Sequence, residues 1–161
     1  FENQSYNFSI NTFVLIEEIV FIIFFFKNII LPKTKKLMRL LTLALSIVIF
    51  IQIIFIQSIF EESAGLQIIC ASFNIVFCIL YIYELFTSPP TRNLSTDPTF
   101  WMLIGIFLLN SCILPLLLIY NFLKPLPSPI WANQYSLIFA VYTITFILFT
   151  KAFSCIHQHL K

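Results

Sequence analysis

Two adjacent carboxylates, Glu17 and Glu18, sit inside the apolar run "VLIEEIVFIIFFF". Ionisable groups at membrane depth are costly, so each is a candidate for a ligand, proton or partner site. Consecutive helical residues point about 100° apart, so at most one of the pair can face a given partner. Lys27 is too far along the chain to pair with Glu18, and the other Lys and Arg residues lie in the links or near the ends of the apolar runs. One glutamate is therefore expected to carry a proton, to bond an Asn or Gln, or to line a wet cavity. Asn74, Tyr81 and Glu84 follow at spacings of seven and three, which places them on one helical face. Asn110 and, eleven residues further on, Asn121 add two carboxamides to a later run. The candidates for a ligand site or polar cluster are thus Glu17, Glu18, Asn74, Glu84, Asn110 and Asn121. The plain role for such groups, with Gln52 and Gln57, is hydrogen bonding between helices, about 0.6 kcal/mol each on average. The sharper role is a polar cavity that receives or responds to a small ligand.

Other chemistry is missing from the chain. It has no Gly-rich phosphate loop, no HExxH and no GxSxG, so no catalytic residue is assigned and a non-enzymatic protein is expected. Cys70, Cys78, Cys112 and Cys155 all fall in apolar segments without CxxC spacing and read as small hydrophobes. His157 and His159 are two apart, on differing helix faces, and no carboxylate lies near them. Neither a metal nor a cofactor is expected.

The elements that must position these groups follow from composition. Of 161 residues, 60% are hydrophobic and only 10% charged, against about 25% charged in soluble domains. Such a chain cannot clothe itself in polar surface, so the bilayer must be its solvent. A spanning helix needs roughly 20 apolar residues, and five runs qualify: 12–31, 37–60, 66–86, 99–123 and 133–153. They are hydrophobic all round and too long for barrel strands. Lipid leaves the helix as the one way to satisfy their backbones. The expected fold is an all-α polytopic transmembrane helical bundle forming a single domain over residues 1–161. Two glycines argue against a channel filter or a small-residue bundle, and the halves show no matching broken helices of the transporter kind. The net charge of +2, without a basic stripe of interleaved aromatics, gives no sign of nucleic-acid binding.

Loop charge orients the spans. Lys27, Lys33, Lys35, Lys36 and Arg39 flank the first link without an acid, which makes it cytoplasmic by the positive-inside rule. Glu61 and Glu62 mark the second link as external, Arg92 the third as internal, and "KPLPSPIW" with Lys124 the fourth as external. The N-terminus is then outside and the C-terminus, with Lys151 and Lys161, inside. Trp101, Trp131, Tyr83, Tyr120 and Tyr135 lie near helix ends, as an interfacial belt requires. Pro115, in the interior of the fourth span, is expected to kink it. Asp97-Pro98 reads as a helix N-cap followed by Pro in the first turn.

Two stretches carry a family signal. One is "NQSYNFSINTFVLIEEIVFIIFFFKNIILPKTKK", an Asn-rich start, an apolar core with Glu and a basic exit. The other is "LYIYELFTSPPTRNLSTDPTFWMLIGIFLLNSCILPLLLIYNFL", with a Glu-Leu helix ending, a short loop, Pro-x-Phe-Trp and Gly four residues past the Trp. Together they resemble the seven-helix membrane region of Bacteroidota sensor and histidine-kinase-type proteins, in its stand-alone form. The matching positions are Glu18, Glu84, Asp97, Pro98, Phe100, Trp101, Gly105 and Asn121. Where that family often has Tyr-Phe-Ser/Ala-Gly, this chain has Leu108-Leu109-Asn110-Ser111. The resemblance implies two further helices ahead of Phe1, which preserve the topology. It also implies a sensor-like module in the bacterial inner membrane that relays a signal to a cytoplasmic histidine kinase or regulator. Beyond the lipid bilayer, other membrane protein helices are expected partners. The alternatives are an accessory subunit of a larger membrane complex and, more weakly, a small transporter or channel.

Overall fold

The computed structural model describes residues 2–56, 64–87, 94–122 and 128–159, with side chains at 7–55, 64–87, 94–119 and 136–155. Five helices account for nearly all of it: α1 (Glu2–Asn28), α2 (Pro32–Ile51), α3 (Ala64–Thr87), α4 (Pro98–Phe122) and α5 (Ser128–His159). No strand occurs among the described residues. Each helix contains a stretch long and apolar enough to cross a membrane: Asn7–Asn28, Pro32–Phe55, Ala64–Thr87, Pro98–Ile119 and Ser136–Cys155. The architecture is all-α and polytopic. By contacts the chain divides into two compact units, 1–84 and 85–161.

The helices run past several of the limits that hydropathy sets. α1 begins at Glu2 rather than near Thr12, because Asn7, Ser9 and Asn11 lower hydropathy without breaking a helix. α2 begins at Pro32, whose fixed φ suits a first helical position, and its lysines are good helix formers. After Ile51 the helix loosens into a π turn at Gln52–Ile56. α4 stays helical through Pro115, which is exposed. Asp97 Oδ1 accepts the Thr99 N–H at 2.9 Å, the N-cap bond expected at the start of α4.

In the first unit the interior positions recur every seven residues. On α1 these are Asn11, Glu18 and Phe25; on α2 Met38, Leu45 and Gln52; on α3 Cys70, Phe77 and Glu84. A seven-residue period keeps one seam facing its neighbours and is the signature of left-handed packing near 20°. Glu18 meets Asn74, the Phe25 and Phe77 rings lie 5.8 Å apart, and Ile30 and Leu31 meet Glu84. Numbers rise together on both helices, so α1 and α3 run parallel. Where α2 ends, Gly65 leaves room for the Gln52 amide: a Cβ there would sit 2.8 Å from Gln52 Nε2.

The second unit is an antiparallel pair. α4 packs along α5, with Leu103, Ile106 and Leu109 interior on one and Val141, Thr145, Ala152 and Cys155 on the other. Gly105 faces Phe149 and Leu148. Near the start of α4, the Ser95 carbonyl accepts the Trp101 indole N–H at 2.9 Å and lies 3.9 Å from Cys155 Sγ.

Candidate functional site

The distribution of side chains inverts that of a soluble protein. Phe13, Ile16, Ile19, Val20 and Ile23 are exposed on α1, whereas Asn11 and Glu18 on the same helix are buried. The same holds for Phe139, Phe146 and Ile147 against buried Thr145 on α5. Water as solvent would drive the reverse arrangement; lipid favours it, because polar groups must then find partners inside the protein.

The centre of the first unit is a polar seam between α1 and α3. Asn74 Nδ2 donates to Glu18 Oε2 at 2.9 Å, and both residues are 3% exposed. On a 1.5 Å rise per residue, Glu18 lies roughly 15 Å from either end of the apolar stretch Asn7–Asn28. Glu17, the neighbouring residue on α1, is half-buried. The thiol of Cys70, a weak donor, neighbours the Glu18 carboxyl. Two oxygens in this cluster, Glu18 Oε1 and Asn74 Oδ1, are buried without a hydrogen-bond partner among the described residues. The amide oxygen accepts, and the carboxyl oxygen accepts or, when protonated, donates.

Glu84 does something different. Its Oε1 accepts the backbone N–H groups of Ile30 at 2.5 Å and of Leu31 at 3.1 Å, while Ile29 N–H still closes the last turn of α1 on Phe25. Pro32 follows and has no N–H. Leu31 occupies the N-cap of α2 and offers no capping side chain. A carboxyl from α3 thus supplies what the turn between α1 and α2 cannot supply for itself. It lies at the positive end of α2, where the helix dipole favours an acid. Its Oε2 is buried without a hydrogen-bond partner among the described residues.

Asn110 and Asn121 lie on α4, in the second unit. Asn110 is buried, but its Nδ2 donates to the Ile106 carbonyl one turn back on its own helix at 2.8 Å. Asn121 lies in α4 with its side chain outside the described residues, as are those of Gln57, Glu61, Glu62, Arg92, Lys124, Trp131, Tyr120, Tyr135, His157 and His159. Asn11 and Gln52, both interior, were not among the sequence candidates for the site. Asn11 was detectable from its seven-residue offset to Glu18. Among the described residues, no three His, Cys, Asp or Glu side chains group as a metal site requires. Cys70, Cys78, Cys112 and Cys155 are free thiols.

A double-mutant cycle measures the seam bond directly. Glu18→Leu and Asn74→Leu should each destabilise the protein in bicelles. Their coupling should fall between about 0.6 and 1.7 kcal/mol, the range of hydrogen bonds between membrane helices. Strict additivity would show that the two side chains do not bond.

These features define an integral membrane protein of five apolar helices with a polar seam buried between α1 and α3. Comparison with protein families, curated proteins and solved structures finds no match to the chain.

Proposed function

We propose that this protein is a non-enzymatic, sensor-like membrane module. It relays a ligand or partner contact through a shift of α1 against α3 to a cytoplasmic histidine kinase or regulator. The supporting observation is the Glu18–Asn74 junction, buried within an apolar span and with one oxygen on each residue unbonded among the described residues. A purely structural contact gains by being complete, since a partly satisfied buried network is a standing penalty. A ligand or partner helix that brings donors binds one setting of the seam better than another and so shifts the equilibrium between them. The route to the cytoplasm is short. Glu84 follows Asn74 by ten residues on α3, about 15 Å along the axis, and holds the turn after α1. In the orientation given by the positive-inside rule, with the N-terminus outside and the C-terminus inside the inner membrane, that turn is cytoplasmic.

The test compares phosphorylation of the kinases and regulators encoded beside this gene in wild-type, deletion and Glu18→Gln cells. The expected result is a changed phosphorylation level on deletion and a partial change with Glu18→Gln. Unchanged phosphorylation in the deletion strain sinks the reading. A fixed, stoichiometric set of membrane partners after mild-detergent purification would replace it with an accessory-subunit role. Ion or solute flux in proteoliposomes, lost in Glu18→Gln, would replace it with transport.

A further inference from the structure

The first three turns of α2 present basic and apolar side chains together on the helix surface. A concavity of about 510 Å³ is lined by Lys33, Lys36, Leu37, Arg39, Leu40 and Leu43. Lys33, Lys36 and Arg39 are exposed, and none makes an ion pair among the described residues. Each of the six follows another at helical spacing, so the cations and the leucines share one broad stripe. The stripe is layered along the membrane normal. Lys33 and Lys36 stand in the first turns after Pro32, where the span begins, and Leu40 and Leu43 lie one to two turns deeper. Arg39 is set deeper than the lysines, and its long stem lets the guanidinium reach back to the same level.

We propose that this concavity is a binding site for one anionic phospholipid, its phosphate among Lys33, Lys36 and Arg39 and an acyl chain along Leu37, Leu40 and Leu43. Charge complementarity selects this occupant. An acidic peptide would match the three cations and leave the leucines unused, whereas an apolar helix would bury three unpaired cations. A phospholipid has anionic and apolar parts in the order that the stripe presents them. Lys and Arg at the membrane surface attract anionic headgroups additively, and here three converge on one concavity. The site does not depend on the sensor reading, because it faces away from the Glu18 seam in chemistry and uses none of its residues.

Native mass spectrometry of the full chain in mild detergent tests it, with phosphatidylglycerol and phosphatidylcholine as probes. The wild type should retain a single phosphatidylglycerol adduct in preference to phosphatidylcholine. The triple variant Lys33→Gln/Lys36→Gln/Arg39→Gln should bind it about tenfold or more weakly. A control removing equal charge elsewhere, Lys27→Gln/Lys35→Gln/Lys151→Gln, should bind as the wild type does. Leu40→Ser/Leu43→Ser should also weaken retention, which separates a lipid from a free phosphate, and millimolar inorganic phosphate should not compete. Equal losses in both triple variants would overturn the proposal, as would equal retention of the two lipids. Should the triple variant not fold, Lys33→Gln and Lys36→Gln alone must each lower retention several-fold, and no change in either refutes the site.

Discussion

Glu84→Leu is expected to destabilise the first unit by about 3 kcal/mol and to expose the turn between α1 and α2. A hydrogen bond to a carboxyl contributes about 1.5–3 kcal/mol, and Glu84 accepts two, from Ile30 and Leu31. Leucine has similar bulk, so the loss is not a matter of volume. It strands two backbone donors for which the structure shows no other partner among the described residues. Glu84→Gln keeps one oxygen and should lose about 1 kcal/mol, mainly the charge that favours the N-terminus of α2. Hydrogen exchange gives the specific readout: the Ile30 and Leu31 amides should lose protection in Glu84→Leu far more than amides in mid-α1. Unchanged protection at both would show that Glu84 is not what holds the turn.

The spans were legible because twenty apolar residues in a row admit few readings. Their ends were not, because hydropathy measures preference for lipid whereas helix limits depend on capping and backbone chemistry. α1 shows the difference: its polar first turns read as outside a membrane helix, yet the helix begins at Glu2. The sequence could say that only one of Glu17 and Glu18 faces a partner. Choosing Glu18 needed the offset of seven to Asn11 and to Phe25, both interior. Spacing also put Asn74, Tyr81 and Glu84 on one face, and all three are buried. Which residue each would meet depends on the axial register of α1 against α3, which no single helix encodes. The π turn at Gln52–Ile56 left no sign in composition. Several residues of the family-like stretch acquire plain physical roles. Asp97 caps α4, Trp101 bonds the Ser95 carbonyl, and Gly105 sits where α5 comes closest.

Gly105→Leu should separate α4 from α5 and destabilise the second unit by about 3 kcal/mol, the upper range for overpacking. An added Cβ would stand 2.6 Å from Phe149 Cε1 and 3.0 Å from Cδ1, with Leu148 Cβ at an ordinary 3.6 Å. The ring is the whole obstacle. A phenyl ring cannot shorten, so it must turn about χ1 or the helices must part. Small residues at membrane helix contacts let backbones approach, and packing rather than the hydrophobic effect then holds the pair. Gly105→Ala sets two effects against each other. The clash costs about 1–3 kcal/mol, and alanine recovers up to about 1 kcal/mol over glycine in helix propensity. The net should be a loss of about 1 kcal/mol. Phe149→Leu removes the colliding ring atoms, so in a Gly105→Ala background it should restore stability, although alone it opens space and costs stability. The coupling between the two sites should therefore be favourable, by about 1 kcal/mol or more. Unfolding in bicelles across the four proteins measures it. If the two substitutions simply add, the contact between Gly105 and Phe149 does not set the spacing of α4 and α5, and this account of the glycine fails.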